Sequence, residues 1–183
     1  MNFLNETENA AFNHLKKAVA KYIGTVTIDK NFINYRNKCV IDHQNADRKN
    51  NRVFRDLEQY QKDADCVLLE YHLIINQIVQ ATSEWQSDFE LFGLKIDAKN
   101  IHTKWFSVSD HKLLQYQTSA NSSKLTHFMF WKYNYIPNRP FEEGDTTSFK
   151  ILELRNAKEV LSNLKSSNYG GYYYGVDAYE QAA

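Results

Sequence analysis

The sequence predicts an α/β fold in which a mixed central sheet is flanked by helices. Two observations support this class. Helical and extended patterns follow one another along the 183 residues, and the composition, with 43% hydrophobic and 24% charged residues, is that of a globular domain with a real core. No internal repeat and no linker-like stretch divides the chain, so one domain is predicted over residues 1–183.

The first predicted element is a helix over residues 5–22, which Asn5 or Thr7 can cap. Residues 25–42 are ambiguous, with strand-like stretches at 25–28 and 39–41.

The polar and basic stretch at 44–52 predicts an exposed loop. Its cations could contact a phosphate backbone, and a plain solvated loop is the alternative. The candidates are Arg48, Lys49 and Arg52.

Two further helices are predicted at about 52–63 and 64–80, and the second carries a broad apolar face. A β-hairpin follows, because apolar and charged residues alternate on both sides of Phe92 and Gly93. Gly93 can adopt the positive φ that a short turn requires. A loop of two or four residues places Glu90 opposite Lys95, whereas a loop of three residues would break that pairing.

The same register places Asp88 opposite Asp97, with the two carboxylates roughly 5 Å apart. Such a pair is destabilising by itself, and a divalent cation would reverse the sign of that interaction. Lys99 lies two residues beyond Asp97, on the same face of the strand. Two carboxylates and an amine at one point predict a site that hydrolyses phosphodiesters with the help of Mg²⁺.

At these residues the chain resembles the PD-(D/E)XK nuclease superfamily, whose signature is an acid on one strand and acid-x-lysine on the next. Asp88 is the first acid, preceded by Ser87 where the motif has proline, and Asp97-Ala98-Lys99 is the second element. Two other Asp-x-Lys tripeptides, at 47–49 and 110–112, do not follow a hairpin partner that carries an acid.

The resemblance implies a restriction-endonuclease-like core over residues 64–176, with residues 1–63 as an N-terminal helical elaboration. It implies that Mg²⁺, with Mn²⁺ as a substitute, is held by the Asp88 and Asp97 carboxylates and the Ala98 carbonyl, while Lys99 orients the attacking water. The family also places a glutamate from the preceding helix at the metal. Glu70 is the candidate and Glu84 the fallback, and an ordinary surface position for Glu70 is the alternative.

After the hairpin, the patterns predict a third strand within 101–108, a short helix from Ser109, strands at 126–133 and 148–154, a helix at 156–164 and an edge strand at 169–176. His102 and Lys104 would lie where a phosphate backbone passes, or would be ordinary surface residues. The resemblance adds Gln115 and Gln117, because some members carry a glutamine after the lysine strand. DNA is the expected substrate, and a homodimer is expected if both strands are cut symmetrically.

The net charge is zero and the pI is near 7.0, so any contact with nucleic acid must come from a local patch. The start of the chain lacks the pattern of a secretory signal, and no apolar run is long enough for a membrane span. A cytoplasmic location is expected, in the host cytoplasm if the protein is encoded by a phage.

Two rival functions remain open. One is a catalytically inactive protein on a nuclease scaffold that binds nucleic acid or acts as an inhibitor. The other is a small zinc protein, although the spacings of its candidate ligands do not match the usual structural sites. Those ligands are Cys39, His43, Cys66 and His72.

Overall fold

The computed structural model describes residues 5–82, 86–168 and 170–182, with side chains through residue 179. The helices are α1 (Glu6–Ala18), α2 (Lys30–Lys49), α3 (Leu57–Ala64), α4 (Leu68–Ile75), α5 (Asp110–Asn121) and α6 (Ala157–Ser162). The strands are β1 (Thr25–Thr27), β2 (Gln80–Ala81), β3 (Phe89–Leu91), β4 (Leu94–Asn100), β5 (Trp105–Val108), β6 (His127–Tyr133), β7 (Thr146–Asn156), β8 (Lys165–Ser166) and β9 (Tyr172–Gly175). None of the described helices is both long and apolar enough to cross a membrane.

A six-stranded mixed sheet in the order β1-β7-β6-β4-β3-β2 forms the centre of the fold. The central pair, β4 and β6, is parallel, whereas the other neighbouring strands are antiparallel. Helices cover both faces of this sheet, so the predicted α/β class with a mixed, helix-flanked sheet is confirmed. β1 joins the sheet by pairing with β7, and α1 packs into the core on one face.

Strand β6 separates two hydrophobic cores. Met129 and Trp131 belong to the core that contains α1 and α4. Phe128 and Phe130 belong to the other core, which contains α5 and α6. Both faces of this strand are therefore covered, as its continuous apolar sequence predicts. At its start, the His127 ring contacts Glu8 of α1 at 2.9 Å, and both side chains are buried.

Helix α2 is the largest departure from the sequence prediction. The strand predicted at 39–41 and the loop predicted at 44–52 are both wrong, because residues 30–49 form one helix that Asp29 caps. Its buried positions include Phe32, Arg36 and Val40, four residues apart. A charged residue in the middle of the stripe hid the helical period. Arg36 is buried because it pairs with Asp65 at 3.2 Å and donates to the Phe141 carbonyl at 2.6 Å.

The helix predicted at 64–80 is shorter than its apolar pattern suggests. α4 ends at Ile75, and Gln77 adopts a positive φ of 56°. The amides of Gln77 and Ile78 then bond back to the last turn, which is the usual way of closing a helix C-terminus. The preceding helix is shorter too, since α3 begins at Leu57 after Asp56 caps it.

Candidate active site

The predicted hairpin forms with the predicted register. Phe92 and Gly93 have φ values of 52° and 78°, so the loop has two residues, both with positive φ, as in a type I′ turn. Strand β3 then pairs with β4 so that Glu90 lies opposite Lys95. These parts of the prediction are confirmed.

The predicted rung between Asp88 and Asp97 does not form. The Asp88 amide donates to the carbonyl of Ile96 at 2.8 Å, although Ile96 already pairs with Phe89. Two residues of one strand therefore oppose one residue of the other, which is the arrangement of a β-bulge and ends the ladder. The predicted pairing of Asp88 with Asp97 is wrong because a strict alternation assumes one residue opposite one residue. The bulge adds a residue to one strand and ends that pairing.

The bulge leaves one edge of β4 open and puts Asp88 beside it. Within the described part of the chain, β4 beyond Asp97 pairs with β6 alone. The Asp88 carboxylate takes the place of a neighbouring strand and accepts the Ala98 N–H at 2.6 Å. Because the N–H and C=O of one strand residue point to the same side, the Ala98 carbonyl is directed to this edge too.

Asp97 and Lys99 share one face of β4, as the alternation predicts, and lie opposite Phe128 and Phe130 of β6. The Lys99 ammonium contacts the Asp97 carboxylate at 2.5 Å. Burial alone would lower the pKa of Lys99, but Asp97, and to a smaller extent Tyr116 and Asp88, outweigh it and raise that pKa. Lys99 is therefore a cation at neutral pH and cannot serve as a base.

Glu70 lies close enough to this pair to interact with it, although its helix α4 packs on the opposite face of the sheet. Burial, and then repulsion from Asp97, raises the pKa of Glu70 to about 7, against the opposing effects of Lys99 and a hydrogen bond with Tyr35. The fallback residue, Glu84, lies outside the described residues.

The carboxyl groups of Asp88, Asp97 and Glu70 form a repulsive cluster. Burial raises the pKa of Asp88 well above its ordinary value, and both other carboxylates raise it further, while Lys99 and the Ala98 N–H lower it. The raised pKa values therefore come first from burial and then from repulsion among the carboxylates, which Lys99 offsets only in part.

A polar cavity of about 110 Å³ contains most of these groups. Helix α5 closes it with one face, at the spacing i, i+3, i+4 and i+7. The lining residues are Gln86, Asp88, Asp97, Lys99, Lys112, Gln115, Tyr116 and Ser119.

Lys112 and Tyr116 were not predicted as site residues. The Lys99 ammonium lies 5.4 Å from the centre of the Tyr116 ring, and Lys112 supplies a second cation to the cavity. The helical spacing of Lys112, Gln115, Tyr116 and Ser119 was visible in the sequence, but nothing local indicated that this face would meet β4.

The predicted nucleic-acid contacts fall in different places. Gln115 lines the cavity, whereas Gln117, two residues along the helix, lines a separate groove with Lys158. His102 and Lys104 are exposed on the segment between β4 and β5.

The basic residues after Asp47 belong to α2 and to the segment that follows it. Arg52 lies near enough to Lys112 to help lower the pKa of that lysine, which burial lowers most. Arg48 is exposed and lies over the Phe54 ring at 5.5 Å, and Lys49 is exposed at the helix end.

Among the described residues, no three or more His, Cys, Asp or Glu side chains form a group arranged to hold a metal ion. The zinc alternative built on Cys39, His43, Cys66 and His72 therefore has no structural basis. Asp88, Asp97 and Glu70 are likewise not arranged as three ligands of one ion, so the prediction of Glu70 as a ligand is not supported and the Ala98 carbonyl is the remaining candidate for a third ligand.

The Glu70→Gln variant tests whether the buried Glu70 carboxylate destabilises the fold when no ion is bound. The folded protein raises the pKa of Glu70 from 4.5 to about 7, so the protonated form stabilises the fold below pH 4.5 and this contribution is lost as the pH rises through about 7. We expect Glu70→Gln to gain roughly 3 kcal/mol relative to the native protein between pH 4.5 and pH 8. Urea unfolding in EDTA measures this difference, with the exposed Glu58→Gln as control. Parallel pH profiles would contradict the expectation.

No family model, curated protein or solved structure matches this chain.

Proposed function

We propose that this protein is a metal-dependent nuclease of the PD-(D/E)XK type that hydrolyses phosphodiester bonds in DNA, on a restriction-endonuclease-like core. The observation that supports the proposal is the meeting of Asp88, Asp97 and Lys99 at the open edge of β4, with Glu70 near enough to interact with them electrostatically. A cluster of acids that costs the fold stability calls for a function, and an acid-rich site with an adjacent lysine suits phosphodiester hydrolysis.

The donor set fits Mg²⁺ in its chemistry. Carboxylate and carbonyl oxygens are the ligands that this ion prefers, and a divalent cation would relieve the repulsion that, after burial, raises the pKa values of Asp88 and Glu70. Asp88, Asp97 and the Ala98 carbonyl would hold the ion, with Glu70 nearby, and Mn²⁺ would substitute. The contacts with Lys99 and the Ala98 N–H each use one oxygen of a carboxylate. When bound, the ion polarises the phosphate and offsets the charge that develops on it.

The other residues of the cavity have distinct roles in this proposal. Lys99, which stays protonated, donates hydrogen bonds that orient the attacking water and stabilise negative charge. Glu70 would act beside the carboxylates that hold the ion, because it interacts electrostatically with Asp97 and Asp88. Lys112 and Gln115 would bind the phosphate from the side of α5. Water attacks phosphorus and releases a proton to solvent, while the 3′ oxygen leaves and takes up a proton from solvent, which gives 5′-phosphate and 3′-hydroxyl ends by family resemblance.

The alternative function is an inactive scaffold that binds nucleic acid or acts as an inhibitor. The absence of a group of three metal-binding side chains from the described residues favours it, as does the direct contact between Asp97 and Lys99. A plasmid-nicking assay decides between the two. We expect nicking in Mg²⁺ or Mn²⁺, none in EDTA and none from Asp97→Asn. Binding of the plasmid without nicking in either ion would favour the inactive scaffold.

Thermal unfolding gives a prediction that does not depend on the substrate. An ion that binds only the folded state adds about 1.4 kcal/mol at ten times its Kd, which corresponds to a rise in Tm of roughly 3–6 °C for a chain of this size. We expect this gain from Mg²⁺ in the native protein and in the exposed control Glu143→Gln, but not in Asp88→Asn or Asp97→Asn. An equal gain in all four proteins would place the ion elsewhere.

The oligomeric state follows from the kind of cut. A nuclease of this type that cleaves both strands of a duplex symmetrically needs two active sites related by a two-fold axis, so a homodimer is proposed for that case. Sedimentation of the protein on a duplex in the presence of Ca²⁺ would detect it.

A further inference from the structure

The small antiparallel sheet β5-β9-β8 has an inner and an outer face. Phe106 and Val108 of β5 point into the core with α5 and α6, and Tyr174 of β9 packs against it. Trp105 and Ser107 alternate with them and are exposed. Tyr173 lies opposite Ser107 in the register of β5 and β9, so it shares the outer face.

An aromatic platform occupies this outer face, formed by Trp105 and Tyr173. Their ring centres lie 5.0 Å apart in an edge-to-face arrangement, and Trp105 is 44% exposed. The Trp105 indole lies across Gly175, where an added Cβ would meet it at 3.1 Å. Lys104 places its ammonium over the indole at 5.1 Å, and Lys165 lies opposite Tyr173 on β8. The platform therefore carries cations around an exposed indole and a half-buried tyrosine ring.

Two grooves connect this platform to the carboxylate cavity. One, of about 400 Å³, contains His102, Trp105 and Ser107, and shares Lys99 with the cavity. The other, of about 640 Å³, contains Ser107 and Tyr173, and shares Lys112 with the cavity; Asp110 also lines it. The two grooves share Ser107 with each other, and each shares one lysine with the cavity, so the platform lies next to the cavity.

We propose that this platform binds an unpaired nucleic-acid strand by stacking its bases on Trp105 and Tyr173, and leads that strand to the carboxylate cavity. This inference rests on the proposed nuclease function, and it assigns the substrate an unpaired segment next to the cut. Bases in a duplex are already stacked on one another, whereas those of a single strand are free to stack on aromatic rings. Lys99, Lys104 and Lys112 are placed to contact the backbone of such a strand.

The test measures binding of fluorescein-labelled dT15 and rU15 by anisotropy in EDTA, so that binding is separated from cleavage. Stacking on one ring is worth about 1–3 kcal/mol per base, so Trp105→Leu and Tyr173→Leu should each raise the Kd roughly five- to a hundred-fold. Trp105→Phe keeps an aromatic ring, so it should lose less affinity for the oligonucleotides than Trp105→Leu. Tyr135→Ala removes a tyrosine that is 63% exposed elsewhere and should leave the Kd unchanged. Thermal melts establish that each variant is folded.

Four outcomes would overturn the inference. If folded Trp105→Leu and Tyr173→Leu bind the oligonucleotides with unchanged affinity, the platform does not take part in binding. Tighter binding of a blunt 15-base-pair duplex than of either single strand would remove the preference for unpaired bases. Loss of self-association in Trp105→Leu, with oligonucleotide binding unchanged, would assign the face to a second copy of the chain. Cleavage of plasmid without any binding of dT15 or rU15 would refute the platform while leaving the proposed nuclease function intact. Platform-dependent binding without cleavage would instead refute only the nuclease.

Discussion

Asp97→Asn is expected to lower kcat for phosphodiester cleavage by about 10³-fold or more, because one substitution removes an ion ligand and the charged partner of Lys99. Asp97 is 5% exposed and lies at the centre of the cluster, where it interacts with Glu70, Asp88 and Lys99. Single-turnover cleavage of a labelled duplex with an unpaired flank measures the effect. The exposed Glu143→Gln is the matched control and should retain full activity.

The stability of Asp97→Asn is a second readout of the same change. In the absence of an ion, loss of the attraction to Lys99 opposes relief of the repulsion on Asp88 and Glu70, so we expect Tm to change by only a few degrees. Circular dichroism should show an intact fold. An Asp97→Asn protein that is folded and still cleaves at more than a tenth of the native rate would remove Asp97 from the site.

Lys99→Gln is expected to reduce kcat by about 10²- to 10³-fold while preserving the response to the ion. The amide cannot supply the positive charge of the ammonium, but the carboxylates that would hold the ion are unchanged. Without an ion, Lys99→Gln leaves the buried Asp97 unpaired, and we expect a loss of about 3 kcal/mol of stability. Mg²⁺ should restore much of that loss, so the gain in Tm from the ion should exceed that of the native protein.

The matched control for this variant is Lys95→Gln, which removes a lysine from the same strand, opposite Glu90 and outside the cavity. Its activity should equal that of the native protein. If Lys99→Gln instead loses its thermal response to Mg²⁺ and keeps its activity, the roles assigned to the lysine and the carboxylates are wrong.

The hairpin could be predicted from the sequence because its determinants are local. Gly93 permits the turn, and the alternation of side chains places Asp97 and Lys99 on one face of β4. The bulge at Asp88 could not be predicted, because an extra residue in a ladder depends on how the following backbone is held. The Ala98 N–H that holds the Asp88 carboxylate belongs to the other strand of the hairpin, ten positions along the chain.

The rest of the site depends on partners that are distant in the chain. Helix α5 supplies Lys112 and Tyr116 only because β6 and β5 bring it against β4. Helix α2 supplies Tyr35, which hydrogen-bonds Glu70, but the buried pair of Arg36 and Asp65 interrupts the apolar stripe that would have indicated this helix. Helix α2 was therefore not predicted because its buried charge has a partner far along the chain. For the same reason Tyr35, which lies on that helix, was not predicted as a neighbour of Glu70.

A crystal structure of the protein grown in Mn²⁺ tests the central claim most directly, since anomalous scattering identifies the ion without reference to activity. The account predicts an anomalous peak at the open edge of β4, coordinated by the carboxylates of Asp88 and Asp97 and by the Ala98 carbonyl, with Lys99 turned from Asp97 toward the ion-bound site. Saturating Mn²⁺ with no peak at that edge, and Lys99 still in contact with Asp97, would contradict it.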